Sequence, residues 1–105
     1  MQRYGMVIGL KAGKLAEYQK LHAAVWPDVL AMITACNIRN YSIYLAELQK
    51  GRFYLFSYFE YHGKDLAADP TTQKWWSHCI PCQDPIPTRA PGEWWANLPE
   101  VFHMD

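Results

Sequence analysis

The sequence has no even set of cysteines, no net charge and no long apolar run, and each absence removes a class of function. Three cysteines, an odd number, argue against a disulfide framework. Ten Lys and Arg balance ten Asp and Glu, so there is no electrostatic footprint for nucleic acid or for an anionic membrane. No apolar stretch approaches the ~18 residues that a membrane-spanning helix needs. The opening Met-Gln-Arg-Tyr-Gly lacks the apolar segment of a secretory signal, which makes the cytoplasm the expected location. Dinucleotide loops, Walker loops, nucleophile elbows and zinc-protease helices are all missing from the text of the chain. So is an obvious pair of catalytic carboxylates. Glu17 is expected on the solvent side of a helix, and Asp28, Asp69 and Glu100 read as capping or turn residues.

What is present is aromatic. The chain has 105 residues, of which 50% are hydrophobic, 19% charged and 15% aromatic, with five Trp and seven Tyr. That length fits one domain, residues 1–105, with a small but real core. Two Trp pairs are adjacent, Trp75-Trp76 and Trp94-Trp95. Aromatics at this density point to a stacking surface, an oligomer interface, or both.

Residues 3–11 alternate, with Tyr4, Met6, Ile8 and Leu10 on one side and Gly5, Val7 and Gly9 on the other. This predicts a strand stripped of bulk on one face, where a helix or a ligand could approach closely. A helix follows from about Lys14 and is stopped or kinked at Pro27. A second helical segment starts with Pro27 at a tolerated first position and runs to about Cys36, with Asn37 as its cap. Ile38 to Leu48 reads as a strand with Tyr41, Ile43 and Leu45 on one side and Asn40, Ser42 and Tyr44 on the other. Gln49-Lys50-Gly51 is a turn, and Arg52 to Tyr61 is a strand aromatic on both faces. Such a strand lies at a sheet centre or packs one face on a second subunit. A short helix is expected around Asp65–Ala68, then one capped by Asp69 and opened by Pro70 that ends before Pro81. The proline-rich run from Pro81 to Pro91 reads as extended loop, and Glu100–Met104 as a last strand. The order is β-α-β-β-α-β, a ferredoxin-like α+β arrangement.

Tyr18, His22 and Trp26 are four residues apart and stack along one helix face, the same broad face as Leu15, Leu21 and Val25. His22 therefore points at the apolar side. One reading is a core histidine satisfied by a backbone carbonyl. The other is a pocket histidine, suited to moving protons near neutrality. Cys79-Ile-Pro-Cys82 invites a metal or redox reading. A structural zinc site needs four ligands and a redox pair usually opens a helix, whereas this pair closes one. Two ordinary thiols, and no metal, are the expectation. Trp faces beside a few hydroxyl and amide groups are the physical recipe for a sugar site. On a helix, adjacent residues point about 100° apart, so Trp75 and Trp76 cannot both sit centrally in one pocket.

These residues resemble a known family, the L-rhamnose mutarotases. The resemblance is carried by Glu17-Tyr18-x-x-x-His22-x-x-x-Trp26-Pro27, by Arg39-Asn40-Tyr41-Ser42-Ile43-Tyr44-Leu45, by Lys74-Trp75-Trp76, and by Glu100-Val101-Phe102. It implies a ferredoxin-like fold that pairs as a dimeric α/β barrel, hence a homodimer. It implies an isomerase that interconverts the α and β anomers of a 6-deoxyhexose monosaccharide, L-rhamnose first. His22 matches the family's proton donor, and Tyr18, Tyr41, Trp75 and Trp76 match positions that bind the sugar. Spacing alone does not choose Tyr41 over Tyr44. Mutarotation needs a proton delivered to the ring oxygen and one removed from the anomeric hydroxyl, so no cofactor is expected. The segments 78–83 and 89–97 differ from the rhamnose-specific pattern, which keeps L-fucose as the second substrate. A monooxygenase-like dimeric barrel is the alternative on the same scaffold, and a non-catalytic sugar-binding module the other.

Overall fold

The structure is a computed structural model that describes residues 2–35, 37–62 and 70–105. Strand β1 (Gln2–Leu10) leads through a short 3₁₀ turn, Ala12–Lys14, into α1 (Leu15–Ala23) and α2 (Pro27–Ala35). Strands β2 (Ile38–Gln49) and β3 (Arg52–Tyr61) follow, then α3 (Pro70–Cys79), β4 (Gln83–Asp84) and β5 (Ala96–Leu98). The expected helix at Asp65–Ala68 and the cap at Asp69 lie outside the described residues.

The sheet is antiparallel in the order β2-β3-β1-β4, with β5 also paired to β1. This is the ferredoxin-like arrangement expected from the element order. The register sorts the side chains by face. Ile8 lies opposite Leu55, Met6 opposite Ser57 and Tyr4 opposite Phe59, while Ile43 and Leu45 join them from β2. Helices α1, α2 and α3 cover this inner face. Ile8, Leu10, Leu55, Val29, Met32, Trp75 and Cys79 are buried together there. The outer face carries Val7, Tyr44, Phe56 and Tyr58.

Strand β2 keeps Ile38 and Tyr41 on the inner face although they are three residues apart. A bulge between Arg39 and Ser42 makes this possible. Asn40 sits inside the bulge with φ 52°, a left-handed conformation that Asn tolerates better than most residues. Its side-chain amide donates to Glu60 of β3 at 2.8 Å. Asn37, expected as the cap of α2, also has positive φ, 62°, and its N–H donates to the Thr34 carbonyl at 3.0 Å.

Four expectations need correction. The helix expected to reach Trp26 stops at Ala23. The Trp26 carbonyl instead accepts the N–H groups of Val29 and Leu30, at 3.0 and 3.2 Å, at the start of α2. The stripped face of β1 admits no helix at Gly9. A Cβ there would collide with the backbone carbonyl of Asp84 on β4, so the close neighbour is a strand that begins inside the proline-rich run. Third, Glu100–Met104 is not a strand. Pairing with β1 ends at Leu98, and Pro99 has no N–H to extend it. Glu100 is neither cap nor turn residue but forms a two-pronged ion pair with Arg3, with both N···O distances 3.0 Å. Beyond it Val101 and Phe102 are exposed.

Candidate active site

Between the inner sheet face and the helices lies a cleft of about 970 Å³, near the upper end of the usual 300–1,000 Å³ for small-molecule sites. All five residues expected at the site, Tyr18, His22, Tyr41, Trp75 and Trp76, line it. Helix α1 supplies Tyr18 and His22 from successive turns. Their rings stack, with centroids 4.1 Å apart and planes at 21°. The edge of His22 meets Trp75 of α3 at 5.3 Å and 68°. An aromatic neighbour thus flanks the imidazole on each element, and none of them is charged.

His22 Nδ1 lies 3.1 Å from the Tyr18 carbonyl oxygen. A carbonyl only accepts, so Nδ1 carries the proton and donates it. In the neutral ring Nε2 then keeps its lone pair. His22 is thus satisfied at Nδ1, as a core histidine would be, while its ring lines the cleft. Burial lowers the pKa of His22 below the ordinary 6.5, and the bond to Tyr18 only partly opposes that shift. Burial raises the hydroxyl of Tyr18, and the nearby Cys79 adds to the effect. Tyr41 is pushed up to about 12, again chiefly by burial, although 41% of its surface stays exposed. Its ring packs on Phe59 at 5.3 Å. Both phenols therefore remain protonated donors at neutral pH.

The structure separates residues that spacing could not. Tyr41 lines the cleft, whereas Tyr44 is on the outer face and 64% exposed. Trp75 is 7% exposed and packs against Trp26 at 5.2 Å, while Trp76 is 39% exposed. Trp26 stands outside the cleft lining. Its ring meets His78 at 5.0 Å and carries the Lys74 ammonium above it at 5.7 Å.

Several cleft residues carry no signal in the periodicity. Gln83 is buried, and its Oε1 accepts the Trp94 indole N–H at 2.7 Å. Ser57 is buried in the cleft floor. Trp94 and Trp95 line the cleft too; their adjacency marked them as stacking or interface aromatics without saying where. Glu93 holds their loop by accepting from the backbone N–H of Ala90, at 3.1 Å, and from the Asn97 side chain.

Cys79 and Cys82 are both buried free thiols. Cys82 donates its S–H to the Glu17 carboxylate at 3.1 Å, which ties α1 to the turn after α3. Among the described residues, no group of three or more His, Cys, Asp or Glu is placed to hold a metal ion. Among them, too, no helix is long and apolar enough to cross a membrane.

A family model describing L-rhamnose mutarotase matches residues 3–104. An L-rhamnose mutarotase of Bacteroides thetaiotaomicron is 36% identical over 109 aligned positions, covering 100% of both chains. One from Rhizobium meliloti is 35% identical over 99% of both chains. A third, from Verminephrobacter eiseniae, is 37% identical over 89% of this chain and 87% of its own length. The crystal structure of an L-rhamnose mutarotase from Formosa agariphila superposes with a TM-score of 0.79 at 24% identity, covering 100% of both chains. That likeness bears on the fold.

Proposed function

The chain belongs to the L-rhamnose mutarotase family, and we propose that it interconverts the α and β anomers of L-rhamnose. The observation that carries the reading is the state of His22. Its Nδ1 is committed to the Tyr18 carbonyl, which leaves Nε2 as the nitrogen available to a sugar in an aromatic-walled cleft.

In this reading neutral His22 takes the proton of the anomeric hydroxyl on Nε2. The O1 electron pair forms the aldehyde, and the C1–O5 bond breaks with its pair left on O5. O5 is protonated by the new imidazolium, which is the donor role assigned to His22, or through a tyrosine hydroxyl or water acting as its counterpart. The aldehyde rotates about C1–C2 and the ring closes on the other face by the same steps in reverse. General acid–base assistance of this kind contributes roughly 10²–10⁴-fold. Tyr18 and Tyr41 hold the sugar as hydroxyl donors, and the exposed Trp76 stacks on its apolar face. No step calls on a metal or nucleotide.

Saturation-transfer NMR between the two anomers, with and without protein, tests this. L-Rhamnose should exchange faster with protein. If L-fucose is accelerated instead, the substrate is reassigned; if neither sugar is, the reading fails. His22→Ala should lose about 10²-fold or more.

A homodimer formed through the outer sheet face is part of the same proposal. It is supported by the aromatic Tyr44, Phe56 and Tyr58 on that face. Sedimentation that finds a monomer at micromolar concentration would overturn it. A cytoplasmic location is proposed from the free thiols Cys79 and Cys82. Recovery in an extracytoplasmic fraction would overturn that.

A further inference from the structure

Among the described residues three polar side chains are buried, Ser57, Thr72 and Gln83, and all three line the cleft. Two of them are bonded within the fold. Thr72 donates its hydroxyl to the Met32 sulfur at 2.9 Å, and Gln83 Oε1 accepts from the Trp94 indole at 2.7 Å. The Ser57 side chain has no hydrogen bond among the described residues, although the residue is only 6% exposed. Among those residues every side-chain oxygen or nitrogen sealed from the surface does have a partner. The Ser57 oxygen is therefore not sealed, and it opens on the cleft that the residue lines. Its neighbours offer it nothing. Met6 of β1 and Ile43 of β2 lie opposite it, and Leu55 and Phe59 stand two residues away on the same face of β3. All four are apolar. A hydroxyl held in such surroundings without a bond is destabilising, and alanine would fill the same position without that cost.

We propose that Ser57 is a specificity-determining residue whose hydroxyl bonds a ring hydroxyl of the sugar, at C2, C3 or C4. The proposal rests on the mutarotase reading and deepens it. His22 stands on the helix wall of the cleft and Ser57 on the sheet floor, so proton transfer and hydroxyl recognition come from opposite walls. A serine hydroxyl both donates and accepts, and a sugar hydroxyl reaching the floor supplies the partner that the fold withholds. A sugar with hydrogen at that carbon leaves Ser57 unbonded in apolar surroundings. Rejection of such a sugar follows from that unpaired group.

Ser57→Ala removes the hydroxyl and no bond within the fold, so the melting temperature should not fall. A fall would give the hydroxyl a structural partner and overturn the inference. Anomer-exchange kinetics are then measured for the wild type and the variant on L-rhamnose and on its 2-deoxy, 3-deoxy and 4-deoxy derivatives. If L-fucose proves to be the sugar exchanged, its deoxy derivatives take their place. On the intact sugar Ser57→Ala should lower kcat/KM about three- to tenfold, the worth of one neutral hydrogen bond. On one deoxy sugar the same substitution should cost less than about twofold, because the bond is already missing. On the other two the full penalty should remain. Ser57→Cys, which puts a weak donor in place of the hydroxyl, should act in the same direction and carries the test if the alanine variant does not fold. A wild type that exchanges the anomers of neither sugar overturns the mutarotase reading and this inference together. An active wild type whose variant matches it, or loses equally on all three deoxy sugars, overturns the inference alone.

Discussion

The imidazole of His22 lies on the ring of Tyr18, centroids 4.1 Å apart, while its Nδ1 bonds the backbone carbonyl of that same residue. One residue thus fixes both the plane and the tautomer of the histidine. Stacking limits water on one ring face and the carbonyl occupies one nitrogen. Only Nε2 is left to exchange a proton.

This arrangement sets the pH dependence. Burial lowers the pKa of folded His22 below the ordinary 6.5. In the proposed mechanism the neutral ring starts the reaction. The acidic limb of kcat/KM should therefore have its midpoint below 6.5, with activity flat through neutrality. Stability follows the same sign. Between the two pKa values the unfolded chain binds the proton that the folded one refuses, so stability is lost as the pH falls below about 6.5. His22→Ala should flatten both curves near that pH. A limb centred above 6.5 would contradict this assignment.

The adjacent tryptophans should divide by phenotype. Trp75 is buried against Trp26 and the His22 edge. Trp75→Ala should cost about 3–5 kcal/mol of folding stability. Trp76, 39% exposed at the cleft, should give a stability change within about 0.5 kcal/mol. Its alanine variant should instead lose kcat/KM by about tenfold, equivalent to ~1.4 kcal/mol. Chemical denaturation and anomer-exchange kinetics on both variants check the division. Equal destabilisation by the two would refute it.

Which parts of this were legible in the text of the chain follows from where the determining interactions lie. The strand Arg52–Tyr61 is bounded by Gly51 and His62-Gly63, and its alternation is local, so its ends are readable. The spacing of Tyr18 and His22 likewise reports a helix face directly. The bulge at Asn40 depends on Glu60, twenty residues away, and alternation alone puts Ile38 on the wrong side. Gln83 is a single polar residue in a proline-rich run. It becomes meaningful only when β4 pairs with Gly9 and Leu10 and the Trp94 loop folds over it. The tail Glu100–Met104 has a strand-like pattern, but among the described residues it pairs with no strand. The roles within the Trp75-Trp76 pair depended on which one α3 turns inward.

Asn40 makes the bulge testable. Its φ of 52° is costly for a β-branched residue and cost-free for glycine. Asn40→Val should therefore be less stable than Asn40→Gly by about 1–2 kcal/mol. Both variants lose the bond to Glu60, so their difference isolates the backbone. Because the bulge lies next to Tyr41, which lines the cleft, Asn40→Val should also lose more activity than Asn40→Gly. Unfolding and exchange measurements on the pair decide this, and equal stabilities would mean the bulge is not enforced by residue 40.

The two thiols give the last prediction. Cys82 is fully buried and Cys79 is 3% exposed. Burial pushes the Cys79 thiol up to about 12. It also raises Cys82, and the Glu17 carboxylate that accepts the Cys82 S–H adds to that rise. Alkylation requires a thiolate that the reagent can reach, and here both conditions fail. Iodoacetamide labelling followed by peptide mapping at neutral pH should leave Cys79 and Cys82 unmodified in the folded protein and fully modified in denaturant. Glu17→Gln removes the carboxylate's contribution but leaves Cys82 buried and out of the reagent's reach, so it should raise Cys82 labelling only slightly. Rapid labelling of either cysteine in the native wild type would show that the turn after α3 opens, and would return the pair to consideration as a reactive site.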